Sequence, residues 1–485
     1  MSKVHFTRRA FLGAMAAVPL FGQSNDWVEL FNGRSLEGWR PQRGPGSWKV
    51  LDGLLSAEGP MCHLFYDGPV RGADFKNFEL EVEVMTSKGC NSGVYFHTVF
   101  QETNWPQKGF EVQINNTQPG ERKKTASLYN VRNIYRQYVK DDEWFKLNIL
   151  VRGKSVQVRL NGMMTVDYIQ PDPAFVPPGG MERQRLLDHG TLALQCHDPN
   201  SRARFRSVRV RPLADDIATP GEAPPADDTF KRIIELGSRG YPMLDLHVHP
   251  KAGLSVEQAV AKSRRDGIQY GLAVNGGLGQ PVTDDAGALK WLAALEGQPV
   301  FSAFQAEGRE WIQMFSKDSV SRYDYIFTDS MTWTDNRGKR MRTWMPNEVG
   351  AISDPQEFMD TLVDRAVGLL EREPIDIYVN PTFVPEVIAK DYETLWTDER
   401  RQKVIQAAVK NGIAIEINNR YKLPSASFIK MAKAAGSKFT FGTNNAAAND
   451  LGRCEYAIQM IDDCGLVAND FWVPLAPGST KAVDR

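Results

Sequence analysis

The sequence predicts a multidomain chain, an all-β sandwich followed by an α/β barrel of the (βα)7, TIM-like kind, and three observations carry that prediction. Up to about position 213 apolar residues alternate with polar ones; after about 229 short apolar runs alternate with helical patterns; between the two lies a stretch with almost nothing to bury. A length of 485 residues exceeds one ordinary domain and suits two when one of them is a barrel.

In chain order, Arg8-Arg9-Ala10-Phe11-Leu12 precedes an apolar run that reaches Phe21. This resembles a twin-arginine export signal over residues 1–24 and implies a periplasmic or secreted protein. The run is too short for a helix to cross a bilayer of roughly 30 Å, so no transmembrane anchor is expected. Next, Phe78, Leu80, Val82 and Val84 alternate with Glu79, Glu81 and Glu83, and Phe145, Leu147, Ile149 and Val151 alternate with Lys146, Asn148 and Arg152. Such alternation marks half-buried antiparallel strands. Val156, Val158 and Leu160 run into Asn161-Gly162, a two-residue hairpin signal, and Val208 and Val210 beside Arg209 and Arg211 close the segment. About a dozen short strands bury their faces only sheet on sheet, which makes residues 25–213 a sandwich.

Residues 214–228, rich in proline and acid, form a linker. Beyond it the strands are expected near Met243–Val248, Tyr270–Val274, Val300–Phe304, Tyr325–Phe327, Ile375–Val379, Ile413–Ile417 and Phe439–Phe441. Helix signals separate them, among them Ser255 with Gln258 as a capping box and Asp354 ahead of Pro355. Seven apolar strands alternating with helices make residues 229–485 a parallel barrel.

Composition excludes some functions. With 58 basic and 59 acidic residues the formal net charge is -1, so no global field draws in nucleic acid. Five cysteines, an odd number, are too few for a disulfide framework.

Chemistry in such barrels sits at the C-terminal strand ends. Those ends carry Asp245, His247, His249, Asn275, Glu307, Asp329, Asn380, Glu416, Asn418, Asn444 and Asn445. His247 and His249, two apart on a strand, leave the same face and can meet at one ion; a hydrogen-bonded strand wall is the plainer alternative. Leu244-Asp245-Leu246-His247-Val248-His249 and the closing Phe441-Gly442-Thr443-Asn444-Asn445-Ala446 resemble the polymerase and histidinol phosphatase (PHP) barrel over roughly 240–470. That resemblance implies a metal-dependent hydrolase. Amides at the last strand replace the family's Asp-x-His, which leaves one divalent ion, Zn, Mn or Fe, on His247, His249 and Glu307, with Asp329 and Glu416 as further ligands. The basic loop Arg337–Arg342 is expected to be a solvated surface.

In the sandwich, Glu111 and Gln113 share one strand face while Phe110, Val112 and Ile114 take the other. Gln195 with His197 and Tyr95 with His97 repeat the spacing, so three polar pairs are expected to line one concave sheet face. Polar and aromatic linings suit sugars. The blocks Leu30–Trp39, Asn91–His97, Gly109–Ile114, Leu194–His197 and Phe205–Val208 resemble the 3-keto-disaccharide hydrolase domain, a laminarinase- and lectin-like jelly roll. The resemblance implies a carbohydrate partner and cleavage of 3-keto-glycosides. A C3 ketone acidifies the C2 proton, so one base and one enolate stabiliser suffice. Glu111, His197 and His97 are the base candidates; Asn91, Ser92, Tyr95, Gln113, Gln195 and Arg206 are the candidate sugar contacts. Two alternatives remain, a sugar-binding module attached to a PHP-like metallohydrolase, and a non-catalytic sugar-binding protein.

Overall fold

The computed structural model describes residues 26–43, 46–175, 185–224, 227–334 and 338–484. The expected export signal lies outside them. Among the described residues no helix is long and apolar enough to cross a membrane, and all five cysteines are buried and unpaired.

The first half holds β1 (Val28–Glu29), β2 (Trp39–Pro41), β3 (Trp48–Leu51), β4 (Leu54–Glu58), β5 (Cys62–Tyr66), β6 (Phe78–Thr86), β7 (Asn91–Thr98), β8 (Phe110–Asn115), β9 (Phe145–Arg152), β10 (Ser155–Leu160), β11 (Met163–Ile169), β12 (Thr191–Cys196) and β13 (Arg202–Pro212). They form two antiparallel sheets, β11-β10-β9-β6-β13-β4-β3 with β1 on β13, and β2-β5-β12-β7-β8. This is a sandwich of the kind expected, and it fits a jelly roll. On β6, Phe78, Leu80, Val82 and Val84 are fully buried against the second sheet. Glu79, Glu81 and Glu83 point outward and pair across the ladder with Arg211, Arg209 and Arg206. The Asn161-Gly162 turn has positive φ at both residues, 49° and 87°, as a two-residue hairpin requires.

The second half contains a closed parallel barrel: β14 (Leu244–Val248), β15 (Gln269–Gly277), β16 (Phe301–Glu307), β17 (Tyr325–Thr328), β20 (Ile377–Tyr378), β21 (Ala414–Asn418) and β22 (Phe439–Gly442). Each strand falls where an apolar run stood in the sequence. The Ser255–Gln258 capping box starts the helix Val256–Asp266, and Asp354 caps Pro355–Arg372 through the amides of Gln356 and Glu357. A feature not anticipated is the hairpin β18 (Thr332–Thr334) and β19 (Arg340–Arg342). Its arginines are ion-paired, Arg340 to Glu310 and Arg342 to Glu348, so they are not simply solvated.

The long β8–β9 connection joins the two halves. It lines the sandwich's second sheet and then inserts Tyr135 among Leu244, Leu246, Ala273 and Phe301, inside the barrel near its N-terminal end.

Candidate active site

β7 and β8 pair with Tyr95 opposite Glu111 and Gly93 opposite Gln113. Phe110, Val112 and Ile114 turn into the core, which sends Glu111 and Gln113 to the other face, as their alternation predicts. The Glu111 side chain lies across Gly93: a Cβ at position 93 would stand 2.4 Å from Glu111 Oε1. From β12, Gln195 Nε2 donates to the Tyr95 hydroxyl at 3.0 Å and to Glu111 Oε1 at 3.2 Å. The Gln113 carboxamide sits 3.1 Å from Asn91 Oδ1; turned over, it donates to Glu111 Oε1 at 3.2 Å and to the Ser92 carbonyl. Burial pushes the Glu111 carboxyl up to about 7, with Arg185 and the Tyr95 and Gln195 hydrogen bonds pulling the other way. A carboxylate poised near neutrality at the floor of a cavity has the character of a general base.

The cavity over this carboxylate measures about 220 Å³ and is lined also by Asn91, Trp105, Glu121, Tyr129 and His197. His197 stands at its rim with Nδ1 2.7 Å from Asp198 Oδ2 and its ring 5.0 Å from that of Trp105. The structure therefore brings together Asn91, Tyr95, Glu111, Gln113, Gln195 and His197 of the expected set.

Three expected residues stand elsewhere. His97 is no part of this cavity: its φ of +53° breaks the alternation, its ring packs edge-on to Phe78 and Phe96, and its nitrogens meet the Lys76 carbonyl and the Asp188 amide. Burial lowers it to about 4, so it is a neutral structural imidazole. Arg206 belongs to the other sheet, where it binds Glu83 and covers Trp144. Ser92 donates to the Gln195 carbonyl and ties β7 to β12.

The sequence reading missed Trp105, Glu121, Tyr129 and His63. The first three come from irregular loops, where no periodicity points at them; Tyr129 donates to Glu121 Oε2 at 2.8 Å. His63 had a usable signal, since it alternates with Phe65 on β5. Its ring stands edge-on to Tyr95 at 5.2 Å.

At the C-terminal mouth of the barrel, the expected metal ligands stand near one another, the His247 and His249 rings 5.2 Å apart, and three of them are engaged in hydrogen bonds. His247 Nδ1 lies 2.6 Å from Glu416 Oε1, while Glu416 Oε2 accepts from the Asn380 amide and from Asn418 Nδ2. Asp329 accepts from the Met331 amide and from Asn380 Nδ2. Asn380 Oδ1 in turn accepts from Asn418 and Asn444, so carboxamides close the ring at the last strands. Among the described residues no three His, Cys, Asp or Glu side chains are arranged to hold a metal ion. His247, Glu416 and Asp329 are engaged with one another and with amides, while Glu307 keeps one oxygen, Oε2, without a partner. Burial, with Asp329 alongside, raises the Glu307 carboxyl above the ordinary range.

Residues 26–211 match the family model of the 3-keto-alpha-glucoside-1,2-lyase-like domain. A 3-keto-disaccharide hydrolase of Bacteroides thetaiotaomicron is 27% identical over an alignment of 195 residues that covers 34% of this chain and 66% of that protein. Among solved structures, a Parabacteroides distasonis protein described as a "putative glycosyl hydrolase" is 20% identical over 39% of this chain and 94% of its own, with a TM-score of 0.32. The carbohydrate binding module CBM66 of Bacillus subtilis is 11% identical over 36% and 94%, with a TM-score of 0.25.

Proposed function

We propose that the sandwich cleaves 3-keto-glycosides by elimination, with Glu111 as the base. The observation that carries this reading is the buried carboxyl at the cavity floor, raised to about 7 and hydrogen-bonded by Gln195. The match of residues 26–211 to a 3-keto-glucoside lyase-like family supports the substrate class. Glu111 takes the C2 proton; the C2–H electron pair becomes the enolate of the C3 ketone and then expels the C1 oxygen. His197, oriented by Asp198, delivers a proton to the departing oxygen, and water added across the resulting double bond completes hydrolysis. The hydrogen-bond donors beside Glu111, on Gln195, Gln113 and Asn91, hold the sugar hydroxyls or the enolate oxygen. Trp105 and Tyr129 offer faces for the sugar ring.

Glu111→Gln keeps the shape of the carboxyl and removes its basicity. Turnover of a 3-keto-disaccharide is expected to fall about 100-fold to 10,000-fold with KM little changed. Unchanged turnover would remove Glu111 from the mechanism. Full binding of the sugar by a parent protein with no turnover at all would favour the pure binding module instead. We propose in addition that the chain is exported through its Arg8-Arg9 motif; replacing both by Lys is expected to leave the precursor in the cytoplasm, and normal export of that variant would refute the assignment.

A further inference from the structure

The mouth of the barrel encloses a second cavity of about 160 Å³, at the end of the strands where barrels of this kind place their ligands. Two polar atoms in its lining have no hydrogen-bond partner: Glu307 Oε2 and Gln305 Oε1, on residues only 6% and 5% exposed. The other oxygen of Glu307 is already served by Asn275 Nδ2 at 2.9 Å and Gln305 Nε2 at 3.0 Å. Leaving buried polar atoms unsatisfied is costly, so a site that keeps two of them is shaped for hydrogen-bond partners that arrive from outside. At the rim stand Lys251 and Arg420, both on the exposed side of the lining and close enough to repel each other. Among the described residues neither is held in an ion pair.

We propose that this cavity binds a small polyhydroxylated carboxylate, a sugar acid, with its carboxylate between Lys251 and Arg420 and its hydroxyls hydrogen-bonded to Glu307 Oε2 and Gln305 Oε1. Each part of the lining narrows the choice. A neutral sugar brings the two rim cations no charge of its own. A phosphate ester brings nearly two negative charges beside the Glu307 and Asp329 carboxyls, which burial already raises, where a carboxylate brings one. A divalent cation meets the two rim cations, and of the carboxylates it needs Asp329 and Glu416 are already engaged with Asn380, Met331 and His247. Trp344 and Tyr421 in the same lining give the carbon skeleton of the ligand an aromatic wall. The volume admits a ligand of monosaccharide size.

The test is calorimetric titration of the full chain with D-gluconate, D-glucose, glucose 6-phosphate and Mn2+ or Zn2+, repeated on Arg420→Gln, Lys251→Gln and, as a control for the sandwich cavity, Glu111→Gln. Both rim residues are exposed, so their variants are expected to fold. Gluconate is expected to bind about tenfold or more tightly than glucose or the phosphate ester, to lose that advantage in either rim variant, and to bind Glu111→Gln as it binds the parent. Equal affinity for gluconate and glucose, gluconate binding that survives both rim variants, or absence of gluconate binding would overturn the proposal. So would stoichiometric metal binding that excludes gluconate. Loss of gluconate binding in Glu111→Gln alone would place the ligand in the sandwich and also refute it, without touching the proposed elimination chemistry.

Discussion

Burial makes two demands of Glu111 that have opposite signs. As a base it must lose its proton, so turnover is expected to rise with pH through about 7 and level off above it, an acid limb that Glu111→Gln abolishes along with the rate. As a buried carboxyl its folded-state value lies above the ordinary 4.5, so the folded state holds the proton more tightly. That contribution to stability is fully present below about pH 4.5 and is lost as pH rises through about 7; the rise from 4.5 to about 7 corresponds to at most ~3.5 kcal/mol. Urea unfolding at pH 5 and pH 8 should show the parent losing more stability than Glu111→Gln over that interval. A parent and variant with parallel pH dependence would mean that Glu111 stays ionised in the folded protein. Gly93 tests the same geometry from beneath. A methyl group 2.4 Å from Glu111 Oε1 must displace the carboxyl, so Gly93→Ala is expected to cut turnover at least tenfold while circular dichroism shows a folded sandwich. Glu111 and Gln113 were legible in the sequence because their strand is regular, and a regular strand sorts side chains by parity alone.

At the scale of the strand, that sorting fails wherever the backbone leaves the extended region. His97 is two residues after Tyr95 and by parity belongs in the cavity, yet its φ of +53° turns it away. The cause is visible on both neighbours. Gly109 and Gly190 each approach the backbone of His97 so closely that a Cβ there would lie 2.7 Å from its carbonyl carbon. The ladder between β12 and β7 shifts register between Thr191 and Ala193, beside the same bend. His97→Ala is accordingly expected to cost about 1–3 kcal/mol in urea unfolding and to leave turnover within a few-fold of the parent. His197→Ala should do the reverse. A His97 variant that folds normally and loses its activity would return this residue to the mechanism. The barrel strands were legible as apolar runs, but the outcome at their ends was not. Asn380 and Asn444 adopt φ near +50°, which asparagine tolerates, and this aims their carboxamides at each other. Pattern can place a polar residue at a strand end; it cannot say whether that residue meets an ion or another amide.

For the whole molecule, a proline-rich linker suggests two domains free of each other, and the β8–β9 connection contradicts that. Its segment carrying Glu121 and Tyr129 walls the sandwich cavity. A few residues on, Tyr135 donates its backbone amide to Gln269 Oε1 at 2.8 Å and its hydroxyl to the Tyr241 carbonyl at 3.1 Å, while Arg136 binds the Val300 carbonyl and Asp324. All four partners stand at the starts of barrel strands, the end away from the barrel's own cavity. The seven residues of β16, roughly 20 Å at about 3.3 Å each, separate the two ends. No sequence period marks this loop, and its arginines read as ordinary surface charge until their partners are seen. One physical consequence is that the barrel, whatever it binds at its mouth, acts as the anvil on which a wall of the sandwich cavity is fixed. Tyr135→Ala in the full chain removes a buried ring and is expected to cost about 3–5 kcal/mol. If the barrel holds that wall in place, the same variant raises KM for a 3-keto-disaccharide several-fold and lowers the pH midpoint from about 7, because the loop folds back on β8, with the Tyr129 amide donating to the Glu111 carbonyl, and its Glu121 helps to raise the Glu111 carboxyl. Unchanged KM would show that Leu128, packed in the sandwich core, and the Asn115 side chain, which binds the Glu121 and Lys123 carbonyls, hold the wall by themselves.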